Sequence, residues 1–228
     1  MMAGIKVAGR PRFLPVIAKK SPPTVFVVDD DESVRGSLRF LLRSAGLESR
    51  AFGSATEFLA GYDPAQPGCL VLDVRMPGMN GLELQQELNL RGAVIPVIFI
   101  TGHGDIPMAV EAMQHGAHDF LQKPFRDEDL IERVRRALAK DAKARASLEE
   151  HNAIRARLES LTPREREVLA LMARGKPNKI MAHELGVSQR TVEIHRARVM
   201  EKSGASSLAE LVRMVMDVEP ELAPVRQG

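Results

Sequence analysis

Between residues 24 and 140 short apolar runs alternate with stretches of helical periodicity, and that alternation leaves few folds open. The runs Val25–Val28, Leu70–Leu72, Val97–Ile100 and His118–Leu121 each read as a short buried strand, the first three rich in Val, Ile and Leu. A weaker run covers 47–52. Helical periodicity follows each: 32–45 stopping at Gly46, a capping box at Ser54-Ala-Thr-Glu57, 81–90, a stretch from Asp105 to Gly116, and one from about 127. Five βα units predict an α/β doubly wound parallel five-stranded sheet with helices on both faces and right-handed crossovers.

Chemistry in such a sheet collects at the carboxyl ends of the strands. Asp29, Asp30, Asp73, Thr101 and Lys123 each stand at such an end. Three carboxylates, a hydroxyl and an ammonium in one cleft suit a divalent cation and a phosphoryl group. Asp73, ending the central strand, is the expected nucleophile and would carry an aspartyl phosphate. Asp29, Asp30, Asp73 and the Arg75 carbonyl are the expected ligands of Mg²⁺, with Asp29 acting through a water. Lys123 and Thr101 would hold phosphoryl oxygens. Taken singly, each residue is as easily a helix cap or a solvated loop; five in order at four strand ends are not.

Residues 126–160 contain neither proline nor glycine, and Leu130, Ile131, Val134, Leu138, Leu148, Ile154, Leu158 and Leu161 recur at three- and four-residue steps with a gap at 141–147. The expectation is a first domain over 23–140, a helical linker over 141–160, and a second domain over 161–217 with a tail at 218–228. Thr162, Pro163 and Glu165 form a strong helix start. A second helix runs from Asn178, its expected cap, to Gly186; Ser188 caps a third to about Ser203, and a fourth begins at Ser206 or Ser207. The pair joined by Gly186-Val187 reads as a helix-turn-helix in a small all-α four-helix domain.

Charge divides the same way. Residues 29–125 hold 7 bases and 13 acids, whereas 161–217 hold 10 bases and 7 acids, so an acidic cation-binding module precedes a mildly basic one suited to an anionic partner. Residues 1–22 carry three prolines and five bases, which predicts a basic disordered arm. The apolar piece at 13–18 is too short, and too quickly followed by Lys19-Lys20, for a secretory signal. One cysteine, Cys69, allows no intrachain disulfide and fits the cytoplasm. No apolar stretch approaches the ~20 residues of a membrane span.

The runs Val27-Val-Asp-Asp30, Leu72-Asp-Val-Arg-Met-Pro-Gly-Met-Asn-Gly81, Ile100-Thr-Gly-His-Gly104 and Phe120-Leu-Gln-Lys-Pro-Phe125 resemble the flavodoxin-like receiver domain of two-component response regulators. Leu161–Leu169, Asn178–Gly186 and Arg190–His195 resemble the LuxR-type helix-turn-helix, and the whole resembles the NarL/FixJ group, leaning toward FixJ. That resemblance implies a sensor histidine kinase as phosphoryl donor to Asp73, a coupled shift of Thr101 and Phe120, a cis Lys123–Pro124 bond, and a homodimer through about 105–125 when phosphorylated. It further implies double-stranded DNA at promoters and RNA polymerase as partners, and no enzyme activity on external substrates. Many receivers have Tyr where Phe120 stands. On helix 188–203, Val192, Val199 and either His195 or Arg196 form the core stripe. The opposite face shows Arg190, Glu193, Ile194, Ala197 and Arg198. Glu193, Ile194 and Ala197 are the expected base readers, and Lys179, Thr191, Arg198 and Lys202 the expected phosphate contacts.

Two other readings remain open on sequence alone. Asp29-x-Asp31 after a strand resembles the haloacid-dehalogenase phosphohydrolases, in which Asp29 would be the nucleophile and Asp31 the acid/base. The third is a DNA-binding adaptor whose first domain only dimerises.

Overall fold

In a computed structural model, which describes residues 21–102 and 106–219, the chain divides into two compact units between Ala146 and Ser147. The arm 1–20, Asp105 and the tail from 220 lie outside the described residues. The first unit holds β1 (Thr24–Val28), α1 (Glu32–Ser44), β2 (Glu48–Phe52), α2 (Ala55–Gly61), β3 (Gly68–Asp73), α3 (Gly81–Leu90), β4 (Val97–Thr101), α4 (Ile106–Gln114) and β5 (Asp119–Gln122). α5 spans Asp127–Glu159. The strand order is β2-β1-β3-β4-β5, all parallel. β1 and β3 are central and buried throughout, which is why they read as continuous apolar runs.

Alternate residues of each strand serve opposite faces. Phe26, Val28, Leu70, Leu72 and Phe99 pack with Phe58, Leu84, Leu88 and Ala112 of α2, α3 and α4. Val25, Val27, Cys69, Val71, Ile98 and Ile100 pack with Leu38 and Leu42 of α1 and Leu130, Val134 and Ala137 of α5. Cys69 is fully buried in the second layer, and desolvation pushes its thiol far above its ordinary pKa.

Helix starts follow their caps. Asp31 accepts from the backbone N–H groups of Ser33 and Val34. Ser54 accepts from Glu57 N, but Glu57 reaches back to Gly53 N and not to Ser54 N, so the expected box is displaced by one residue. Asn80 and Glu83 form a complete box that the sequence reading missed.

The second unit contains α6 (Pro163–Ala173), α7 (Asn178–Leu185), α8 (Gln189–Ser203) and α9 (Leu208–Val218). Ile154 and Leu158 at the end of α5 join Leu169, Met172, Val192, Val199, Leu211 and Val215 in its core. Thr162 and Glu165 close a capping box with Pro163 in the first turn. Asn178 is not the cap of α7; Pro177, in extended conformation, takes that position without a side-chain bond, and Asn178 is already helical. Gly186 turns the chain with φ +66°, a conformation costly to any residue with a Cβ.

Candidate functional site

β1, β3 and β5 deliver an acid, an acid and a base to one edge of the sheet. Asp29, one residue past β1, is almost wholly buried, and its Oδ2 accepts from Lys123 Nζ at 2.9 Å. The same ammonium donates to Asp73 Oδ1 at 3.2 Å. One cation therefore bridges two carboxylates that would otherwise repel each other. Asp29 is further fixed by the Asp31 amide on Oδ1, 2.9 Å, and its backbone carbonyl accepts from Arg35 Nη1 at 2.7 Å. Asp73 Oδ2 accepts from the Arg75 amide at 2.8 Å.

Burial raises the Asp73 carboxyl above its ordinary pKa; Lys123 opposes that shift and Asp29 adds to it. Desolvation alone would lower the Lys123 pKa, but its bonds to Asp29 and its attraction to Asp29 and Asp73 carry it above its ordinary value. A buried carboxylate with one shared cation leaves oxygen lone pairs for an electrophile or a metal.

Thr101 ends β4, buried, with its carbonyl accepting from Lys123 N at 2.8 Å, so β4 and β5 hold Lys123 in place. Phe120, half-buried on β5 opposite Phe99, packs on the core layer of α2–α4. The Lys123–Pro124 bond is cis. Asp30 is exposed beside Asp29. Among the described residues no three His, Cys, Asp or Glu side chains already form a metal-binding group. Asp31 serves as the N-cap of α1 through its Oδ1.

In the second unit, α7, Gly186-Val187 and α8 make the helix-turn-helix. Ser188 caps α8 through Thr191 N, and its hydroxyl lies 2.9 Å from that of Thr191. Val192 and Val199 are buried, with His195 and Arg196 half-buried beside them. Lys179, Arg190, Glu193, Ile194, Ala197 and Arg198 are exposed. Lys202 differs from these: its Nζ donates to the buried Glu165 at 2.7 Å, tying the end of α8 to the start of α6. Lys202 and the Thr162 amide together hold the Glu165 carboxyl down to about 2. Nothing in the local sequence announces this pair, whose members lie 37 residues apart.

A five-stranded parallel sheet with Asp29, Asp73 and Lys123 gathered at its carboxyl edge, followed by a helix-turn-helix, defines a two-domain regulator of the receiver and DNA-binding type. Residues 25–135 match the response regulator receiver domain, and 159–215 match the luxR family of bacterial regulatory proteins. The chain belongs to the FixJ-like two-component response regulators and is a transcription regulator, not a metabolic enzyme. It is 50% identical to the transcriptional regulatory protein FixJ of Azorhizobium caulinodans, over 84% of this chain and 91% of that one. It is 52% identical to nodulation protein W of Bradyrhizobium diazoefficiens, over 83% and 84%. The solved structure of response regulator StyR superposes with a TM-score of 0.79 at 50% identity, covering 86% of this chain and 98% of that one. Among the described residues no helix is long and apolar enough to cross a membrane.

Proposed function

We propose that Asp73 accepts a phosphoryl group from the phosphohistidine of a sensor kinase, and that the resulting aspartyl phosphate governs dimerisation and DNA binding. The observation that carries this reading is the Lys123 ammonium shared by Asp29 and Asp73. Asp73 Oδ1 attacks phosphorus while the bond to the donor's histidine nitrogen breaks, and that nitrogen leaves with the electron pair. Lys123 then balances charge on a phosphoryl oxygen, and the Thr101 hydroxyl donates to another. Movement of Thr101 toward the phosphate frees the space that Phe120 fills from β5. Phosphate alters output only by favouring one arrangement of these elements over the other.

The donor set fits Mg²⁺, a hard cation held by one or two carboxylates with several waters retained. Asp29, Asp30, Asp73 and the Arg75 carbonyl would hold it, and the ion would neutralise charge that Lys123 alone cannot.

On DNA, α8 enters the major groove with its first turns toward the bases. Glu193 accepts from cytosine N4, and Ile194 and Ala197 meet thymine methyls. Lys179, Arg190, Thr191 and Arg198 reach phosphates. Lys202, engaged by Glu165, acts first as the strut that sets α8. One such unit has few base readers, so two half-sites and a homodimer follow, with the 105–125 face as the expected seam. The cytoplasm is the compartment in which kinase, DNA and RNA polymerase all meet it.

Phosphopeptide mapping after incubation with a histidine kinase or acetyl phosphate tests the site. Phosphate is expected on Asp73; phosphate on Asp29 with Asp73 unmodified would overturn the assignment. Footprinting on genomic DNA, at several salt concentrations, tests the second unit, with affinity falling as salt rises.

A further inference from the structure

The apolar stripe of α5 does not end where its apolar residues end. Leu130, Val134 and Ala137 are buried, and the next positions on the same face, one turn apart, are Asp141 and Arg145. Both are charged and both are buried, with side-chain exposures of 2% and 8%. Arg145 Nε lies 2.8 and 2.9 Å from the two Asp141 oxygens. Its Nη1 donates to the carbonyls of Pro64 and Ala65, and its Nη2 to that of Gln66 at 3.0 Å. Asp141 Oδ2 accepts from the amide of Gly68, the first residue of β3, at 2.9 Å. Gln66 in turn donates to the Pro22 carbonyl and to Thr24 Oγ1 at the start of β1. Gly68 admits no side chain, because a Cβ there would lie 2.0 Å from the Thr24 carbonyl oxygen.

The pair lies beyond residue 135, where the receiver match ends. From Ala146 to Ala153 the helix buries nothing, Leu148 alone being half covered, until Ile154 and Leu158 enter the core of the second unit. The latched stretch of α5 starts four residues after Lys123 and ends on the residue that opens the strand of Asp73. It is thus tied to β5 and β3, the strands that carry Lys123 and Asp73.

We infer that Asp141 and Arg145 form a buried latch that makes α5 part of the receiver as far as Arg145, and that this latch is a positioning element through which the state of Asp73 reaches the DNA-binding unit. The inference rests on the phosphorylation reading given above. Without the latch, α5 past Leu138 has no anchorage in the first unit and cannot carry a displacement of β3 or β5 forward.

The test uses the full chain carrying D141L/R145M, which replaces the ion pair by apolar groups and leaves no lone buried charge. Acetyl phosphate is the donor, and the DNA is a duplex selected from random sequence by the phosphorylated wild-type protein. The variant is expected to take phosphate on Asp73 at the wild-type rate. Its ratio of phosphorylated to unphosphorylated DNA affinity should fall by at least about fivefold toward unity. Hydrogen exchange at Gly68 and over 138–146 should quicken. A wild-type ratio retained in the variant would overturn the coupling, and unchanged exchange would overturn the latch itself. A wild-type protein whose DNA affinity ignores phosphate would instead defeat the phosphorylation reading, leaving exchange to decide the latch. Should the double variant fail to fold, R145K keeps the charge but loses the planar fork. It is read by the same ratio and the same amides, with an intermediate loss expected and no loss overturning the inference.

Discussion

β3 carries a carboxylate problem at each end, and the two ends solve it in opposite ways. At its carboxyl end Asp73 shares a single ammonium with Asp29, and Lys123 keeps a quarter of its side chain in solvent. At its amino end Gly68 meets Asp141, whose two oxygens are taken by Arg145 and by a backbone amide, with all of it buried. The first pair has lone pairs to spare and a raised carboxyl pKa; the second is saturated. Incomplete pairing marks the place where chemistry enters, and complete pairing marks a joint.

That contrast can be broken at several points. Asp73→Asn should abolish covalent phosphate uptake from acetyl phosphate, read by intact mass, while leaving stability unchanged or slightly improved because a repulsion with Asp29 is removed. Lys123→Met should slow phosphoryl transfer by about 10²- to 10³-fold in single-turnover assays, the usual effect of deleting one charge-stabilising donor. Arg145→Met should leave the transfer chemistry intact but destabilise the first unit by about 3–5 kcal/mol in urea titration, since Asp141 then stays buried without its cation. Mg²⁺ at about a hundred times its Kd should stabilise the wild type by about 2.7 kcal/mol and Asp73→Asn by less, read from melting curves. At the small end, Thr162→Ala should cost the second unit about 1 kcal/mol through its lost cap.

A third carboxylate sharpens the same point through pH. Glu165 is held near 2, below the ordinary 4.5, so its contribution to the second unit is complete above about 4.5 and drains away as pH falls toward 2. Lys202→Met should flatten that acid dependence, measured by hydrogen exchange of α6 amides between pH 2 and 5. A full acid dependence in the variant would show that Lys202 is free for other work.

The convergence of the candidate site residues was legible because its signals are local. Asp29, Asp73, Thr101 and Lys123 each follow an apolar strand, and parallel pairing brings strand ends together without further information. The helix-turn-helix was legible for the same reason, through Thr162, Ser188 and Gly186. The latch was not. A search for apolar periodicity registers Asp141 and Arg145 as a gap at 141–147, although they occupy the stripe as faithfully as Leu130 or Val134. Their partners are backbone groups 73 to 81 residues away, which composition cannot reveal. The ion pair of Lys202 was hidden for a related reason: its partner on α6 lies 37 residues earlier in the chain. Asn178 misled locally, because Pro177 already supplies an extended residue before the first turn and no side-chain acceptor is needed.

The solitary thiol of this protein also has a practical side. Cys69 is sealed between β3 and the α1–α5 layer and held in its protonated form, so maleimides and nitroxides have nothing to attack in the folded chain. The native molecule is therefore a silent background for spectroscopic tagging: a cysteine introduced at exposed Glu150, or a pair at Glu150 and Arg198, would be the sole labelled positions, with no need to strip the wild-type sequence first.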